Sequence, residues 1–368
     1  MKVVYACCLS AGGPLTHLFD LAPHVAREGV DVRVLCANDA IVKEFHKRDI
    51  DAFVMPLRHK LDIGGAARLW PALRHADVVH THDRRSGLFA RSIARLHGSV
   101  AVHTLHGVPK EISGLVGRPD ASVPLDISPA RAAWLRYGVL GIEAALARMG
   151  PTVVPSAALR DFLLAHGFSR RHIVVIPNGV KLRRREPEGR HEPFRVATVG
   201  VLNHSKGVDV LLEASARVRE PLRLDVFGDG PLRASLEALA TRLGVKAEFH
   251  GSVANIPDRL READLFALAT RGDNLPIAVL EAMSLAMPVV TTRTGGLPEL
   301  VEDGETGLLA EPNDPDGIAE AIERIARDEE LRLRLGRAAA ERVATRFDAD
   351  VMAREMVALY RRLNPACP

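Results

Sequence analysis

The chain has 368 residues, 47% of them hydrophobic and 26% charged, with a formal net charge of +3. That length suits two domains, while the charge is too small to argue for nucleic acid as a partner. The four cysteines (Cys7, Cys8, Cys36 and Cys367) show neither metal-ligand spacing nor a disulfide framework, which fits a reducing cytoplasm.

The N-terminus, Met1–Leu9, is apolar but runs straight into Ser10-Ala11-Gly12-Gly13-Pro14, so it reads as a strand and not a secretion signal. Short apolar runs predict further strands at Val32–Cys36, Ala52–Met55, Val78–His80, Val100–Thr104, Val153–Val154 and Val174–Ile176. Between the first two, Leu15, Leu18, Phe19, Ala22 and Val25 form one helical face over Leu15–Arg27, with Pro14 in its first turn. Strand–helix alternation implies a parallel sheet covered on both faces. Gly107–Pro129, rich in Gly, Pro, Ser and Asp, predicts a long loop or partial insertion, of a kind that is often functional. Ala130–Met149 carries Trp134, Tyr137 and Ile142 with Arg131, Arg136 and Arg148. It suits an anionic lipid surface and, equally, a core-packed helix. No run reaches the roughly 18 apolar residues of a membrane span.

Residues 181–193 are charged and proline-containing, and predict a linker. The alternation then restarts, with strands expected at Arg195–Val199, Leu222–Phe227, Ala247–His250, Leu265–Leu268, Pro288–Thr291 and Gly307–Ala310. Pro315–Leu363 reads as helical throughout, stopped by Asn364-Pro365. The expected architecture is α/β: two doubly wound, Rossmann-like parallel-sheet domains facing a cleft. Residues 1–180 form the first and 194–349 the second, and a C-terminal helix, about 350–368, packs back on the first.

Several strand ends carry polar residues, which is where open α/β sheets bind ligands. Gly12-Gly13 lets backbone amides approach a phosphate or sugar at a helix start, or simply makes a tight turn. Without the full Gly-x-Gly-x-x-Gly fingerprint, a dinucleotide dehydrogenase is disfavoured. Lys206, one of few lysines in the second half, sits near a helix N-terminus where it could meet a diphosphate. Asp273 and Glu281 bracket a helix start at Pro276; Asp273 could cap that helix or, as a carboxylate, bind vicinal hydroxyls. Val253, after the strand ending at His250, could border a nucleobase. In the first half, His80-Thr81-His82-Asp83 and His103-Thr104-Leu105-His106 each end a strand. No three-ligand spacing with an acidic partner is clear, so sugar hydrogen bonding is preferred over zinc.

In this order the motifs resemble the retaining nucleotide-sugar glycosyltransferases of family 4, with the GT-B fold. The residues that carry the resemblance are Gly12-Gly13, Lys206-Gly207-Val208-Asp209, Gly228-Asp229-Gly230-Pro231, Glu281-Ala282-Met283, Gly295-Gly296-Leu297-Pro298-Glu299 and Asp303-Gly304. The resemblance implies that Glu281 holds the nucleotide ribose and that Asp273 and His106 lie beside the transferred sugar. It implies that Asn274, Leu275, Pro276 and Ile277 run along sugar and phosphates, that Lys206 neutralises the diphosphate, and that Gly12 and Gly13 lie at the reaction centre. More loosely, it puts His82 and Asp83 on the acceptor side. The family's second diphosphate cation, an arginine five positions before the lysine, is here Val201, with Arg271 or Arg293 as substitutes. The family's first acid is here the shorter Asp273.

The implied activity is sugar transfer, with retention, from a nucleoside diphosphate donor to a sugar, lipid-linked or small-molecule hydroxyl acceptor. Neither cofactor nor metal is expected, and the place expected is the cytoplasm or the inner face of its membrane. The competing readings are another enzyme of the same fold, an epimerase or phosphorylase, and a non-catalytic nucleotide-sugar-binding protein.

Overall fold

The computed structural model describes residues 1–55, 57, 62–117, 127–183 and 190–365. The chain divides into two compact units. The first comprises Met1–Val108, Ile127–Gly179 and Ala349–Pro368, and the second Pro109–Asp126 and Val180–Asp348.

In the first unit the strands are β1 (Lys2–Ala6), β2 (Asp31–Cys36), β3 (Asp51–Val54), β4 (Val78–Thr81), β5 (Val100–Thr104), β6 (Thr152–Val154) and β7 (Ile173–Val175). They pair in parallel in the order β3-β2-β1-β4-β5-β6-β7. Alternate residues of β1 feed opposite cores, as the two-residue period of a strand requires. Val3 and Tyr5 join Leu18, Leu21, Met352, Met356 and Tyr360, while Val4 and Ala6 join Leu69, Leu73, Val79 and Ala90. The C-terminal helix Ala349–Leu363 is therefore part of the first unit's core, packed against helix Gly13–Arg27.

The second unit holds β8 (Phe194–Val199), β9 (Leu222–Phe227), β10 (Ala247–Gly251), β11 (Leu265–Leu268), β12 (Val289–Thr292) and β13 (Leu308–Ala310), also parallel, in the order β10-β9-β8-β11-β12-β13. Its sheet is also buried on both faces. Val196, Leu224 and Leu265 face one core, and Ala197, Phe266 and Val289 the other.

Strand order reverses direction between β1 and β4 in the first sheet and between β8 and β11 in the second. Those reversals open a crevice at the carboxyl ends of the strands, where doubly wound sheets bind ligands. The loops after β1 and β4 carry Gly12, Gly13 and His82; those after β8 and β11 carry Lys206 and Asp273.

Three expectations change. The single helical stretch Pro315–Leu363 is three helices, Pro315–Arg327, Glu329–Arg346 and Ala349–Leu363. Asp328 breaks it with an extended backbone (φ −112, ψ 100), and its side chain caps the next helix by accepting from Leu331 N. The loop after β5 does not belong wholly to the first unit. Residues from Pro109 pack with the second, where Gly295 N donates to Val116 O at 3.1 Å. Of the expected linker, residues 184–189 lie outside the described residues, as do 118–126 of the long loop and Cys367; Val180 already belongs to the second unit, donating to Phe347 O.

Candidate functional site

In the second unit, β8 gives way to a loop in which Asn203 caps the turn His204–Lys206, its Oδ1 accepting from Lys206 N. Gly207 follows at φ +64, and a Cβ there would lie 1.9 Å from Ala269 O. Only glycine allows this approach of the β8 and β11 loops. Thr270 Oγ1 and Arg271 N then both donate to Ser205 O, at 2.7 and 2.8 Å. The result fixes Lys206 opposite Asp273: the ammonium donates to Asp273 Oδ2 in an ion pair only about a fifth exposed on either side.

Asp273 does not cap the helix that follows. That helix is Ile277–Ser284, its cap position is Pro276, and no side chain caps it. Asp273 Oδ1 instead accepts from the adjacent Asn274 N at 3.0 Å. The Asp273 carbonyl is closely covered: a Cβ on Gly295, itself at φ +57, would lie 1.5 Å from it. Asn274, Leu275, Pro276 and Ile277 form a buried entry to the helix, and Glu281 is half-buried about one turn further in. Val253 follows the edge strand β10 and packs half-buried against the core that helix Ile277–Ser284 also covers.

Both arginines suggested as a second phosphate cation are paired with acids in this structure. Arg271 holds Asp209 with two hydrogen bonds of 2.8 and 2.6 Å, and also donates to His204 O and Asn313 Oδ1. Burial, the largest effect, opposes the Asp209 charge, but the Arg271 hydrogen bonds and charge together with the backbone N–H groups of Asp209 and Val210 outweigh it and hold the carboxyl below its usual value. Arg293 pairs with Asp303 and Glu311. Val201, where the family's arginine would stand, is 41% exposed.

In the first unit, Gly12 (φ +97) is the cap residue of helix Gly13–Arg27, accepting from Leu15 N and Thr16 N, and Gly12 and Gly13 are both exposed. Asp83 serves the fold. It caps helix Arg84–His97 by accepting from Arg85 N and Ser86 N, and it ties β1 to that helix by accepting from Cys8 N and Ser86 Oγ. Four intrachain donors occupy its lone pairs, so the expected sugar-side role of Asp83 is corrected to a cap. His82 is buried, and its Nδ1 lies 3.3 Å from Nε2 of the half-buried His106.

Sequence reasoning missed His17. It lies in the second turn of helix Gly13–Arg27, edge-on to His106 and tilted against His82 (centroids 4.8 and 5.4 Å apart). The signal was available as a histidine five residues past Gly12 at a switch-point helix, but only the fold places it against two strand-end histidines. Burial pushes the His17 imidazolium down to about 4, against an opposing effect from Asn178, and burial together with neighbouring histidines holds His82 and His106 well below the usual value. All three are neutral imidazoles near pH 7. His80 is part of the scaffold, bridging Tyr360 Oη and Thr104 Oγ1. Beneath the same strand ends, the buried Arg91 donates to Glu143 at 2.8 Å beside His103.

The helical stretch from Pro129 to Met149 has two characters. Leu135, Leu140, Glu143 and Ala147 are buried, whereas Trp134, Tyr137 and Ile142 are more than half exposed. Among the described residues, no helix is long and apolar enough to cross a membrane.

The sequence matches Glycosyltransferase Family 4 over residues 11–184 and Glycosyl transferases group 1 over residues 181–342. It is 30% identical over 346 residues to the sulfoquinovosyl transferase SQD2 of Arabidopsis thaliana, covering 85% of this chain and 63% of that protein. It is 30% identical over 312 residues to the D-inositol 3-phosphate glycosyltransferase of Acidothermus cellulolyticus, covering 77% of this chain and 67% of that one. Two further relatives are spanned over only 56% and 48% of their own length. Among solved structures, Anabaena HepE in complex with UDP-glucose matches with a TM-score of 0.82 at 20% identity, over 98% of this chain and 99% of that chain, which shows a shared fold.

Proposed function

The chain belongs to the glycosyltransferases of group 1 and family 4, and from that premise we propose that it moves a sugar from a nucleoside diphosphate sugar to a hydroxyl acceptor, with retention at the anomeric carbon. The observation that carries this reading is the Lys206–Asp273 pair at the second sheet's switch point, with a helix starting four residues after Asp273. The ammonium suits the diphosphate and the carboxylate suits the sugar hydroxyls, so one ion pair marks the two ends of the bond that breaks. Glu281, inside the helix, takes the ribose diol. The backbone of Asn274–Ile277 follows the donor between them.

Transfer breaks the bond from the anomeric carbon to the phosphate oxygen, and the electron pair leaves with the diphosphate, where Lys206 stabilises it. The acceptor oxygen bonds the same face of the anomeric carbon, and its proton passes to the departing phosphate oxygen. His106, Asp273, Gly12 and Gly13 position the sugar and give no covalent intermediate. No metal is needed in this scheme, since Lys206 and backbone dipoles meet the charge. The UDP-glucose held by the Anabaena relative makes UDP-sugars the first donors to test.

A screen of UDP-, GDP- and ADP-sugars by thermal shift and calorimetry should find one donor that raises the unfolding midpoint by mass action. Proton NMR of the product should show the donor's anomeric configuration kept. Absence of any donor binding, with Lys206→Ala and Glu281→Ala leaving nucleotide binding unchanged, would sink the reading. Exposure of Trp134, Tyr137 and Ile142 beside Arg131 and Arg148 further supports contact with the inner, anionic membrane face, where a lipid-linked acceptor would be met. Loss of sedimentation with anionic vesicles in W134A/Y137A tests this.

A further inference from the structure

We propose that His17, His82 and His106 bind one transition-metal dication of the Zn²⁺ class through their three imidazoles, and that the occupied site excludes the transferred sugar. The three residues come from separate elements: the helix after β1, the end of β4 and the end of β5. Each offers a nitrogen, and these nitrogens all lie within 4.8 Å of one another.

Two observations point to an ion. Both ring nitrogens of His17 are buried and lack a hydrogen bond of good geometry, although the Asn178 side chain interacts with the ring. Proteins rarely leave several buried polar atoms of one cluster unmet, and a missing water or ion is a standard reason when they do. Second, the 3.3 Å between His82 Nδ1 and His106 Nε2 suits two ligands of one small ion. Nitrogens about 2.0–2.1 Å from a tetrahedral centre stand roughly 3.3–3.4 Å apart. The same spacing suits an N–H···N hydrogen bond, so the ion can take the place of that proton once the two rings rotate to aim their lone pairs off the N···N line.

The donor set selects the metal. Three neutral nitrogens and no carboxylate favour Zn²⁺, Ni²⁺ or Cu²⁺ over Mg²⁺ and Ca²⁺. Three protein ligands leave the fourth position of a tetrahedral ion for water or an anion. The second carboxylate–histidine group, Asp225, Glu248 and His250, is a weaker candidate, because Arg223 already pairs with both acids. Exclusion of the sugar rests on the proposed function, which places His106 beside it; binding of the ion does not.

The test is titration of the chelator-stripped full chain with Co²⁺, followed by visible absorption and by metal counting. The expected result is one Co²⁺ per chain with the strong d–d bands of low coordination, displaced by Zn²⁺. His17→Gln should weaken this binding at least tenfold, and His250→Gln should leave it unchanged. Absence of the bands in the wild-type chain, or their survival in His17→Gln, overturns the site. Ring ¹⁵N shifts of the wild-type histidines give the answer without a variant: movement of His17, His82 and His106 on adding Zn²⁺ supports it, and movement of other histidines alone refutes it. With Zn²⁺ bound, the apparent Kd for the donor sugar should rise at least tenfold while that for free nucleoside diphosphate stays within twofold. An unchanged donor Kd removes the exclusion step. Because Co²⁺ uptake is read with no donor present, failure of the site and failure of the transferase reading are told apart.

Discussion

The ion pair between Lys206 and Asp273 predicts opposite effects of removing its two ends. Both side chains are about four-fifths covered, so the pair is worth more than an exposed salt bridge. A diphosphate must recruit the same ammonium and therefore share it with Asp273. Charge-assisted hydrogen bonds contribute about 1.5–3 kcal/mol. Lys206→Met should thus weaken UDP binding by about 2–3 kcal/mol, roughly 30- to 150-fold. Asp273→Asn keeps the shape, removes the competing charge and frees Lys206. It should tighten UDP by about 0.5–1 kcal/mol, roughly two- to fivefold, while transfer from the intact donor falls because the sugar loses its acceptor. Calorimetry with UDP on both variants and on the double variant measures the coupling directly. If Asp273→Asn weakens UDP tenfold, or Lys206→Met changes it less than twofold, the pair does not mark the diphosphate site.

Three other outcomes follow from particular contacts. Gly207→Ala would push a Cβ to 1.9 Å from Ala269 O at φ +64, so beyond the roughly 1–2 kcal/mol of a left-handed alanine the loop must shift; a lowered unfolding midpoint together with weaker UDP binding is expected, and wild-type values for both would contradict it. Arg91→Met leaves the buried Glu143 with the longer 3.8 Å pair to Arg84 and should lower stability by about 3–5 kcal/mol in urea unfolding. Adding Glu143→Leu should restore most of that, and a single-variant loss under 1 kcal/mol would show that the pair is not needed. Val201→Arg should supply a second cation at an exposed position and tighten UDP severalfold in a salt-dependent way, whereas equal affinity at low and high salt would place residue 201 away from the phosphates.

Most of the architecture was legible because its signals are local. Every β-branched or apolar run that read as a strand is one, since the central strands feed two cores and have no polar face to blur them. The helix break at Asp328 was not legible, because Arg324-Ile325-Ala326 before it and Leu331 after it keep a helical rhythm while the backbone between them turns. Asp83 and Asp273 show the same limit at the site. Each precedes a helix and each could cap it, and only the donors that reach them separate the cap from the residue paired with Lys206. His17 was hidden for a different reason: its partners are 65 and 89 residues away in sequence, and no local pattern joins them.

The second unit reaches its charge balance in an unusual way for a site that must meet a diphosphate. Arg271 stands in the loop after β11 but is turned to Asp209 and to the His204 carbonyl, and Arg293 is turned to Asp303. Both arginines therefore fasten loops, and Lys206 is the cation paired with an acid of the proposed donor loop. With Val201 apolar, the proposed donor's remaining phosphate charge would fall to backbone dipoles, chiefly the N-terminus of helix Ile277–Ser284. Dipoles act only at fixed geometry, whereas a long arginine can follow its target. That explains why the loops here are pinned so closely, with Ser205 O bound by both Thr270 and Arg271, and Asp273 O in contact with Gly295. On the proposed reading, rigid placement of the backbone would do at this site what a second mobile cation would otherwise do.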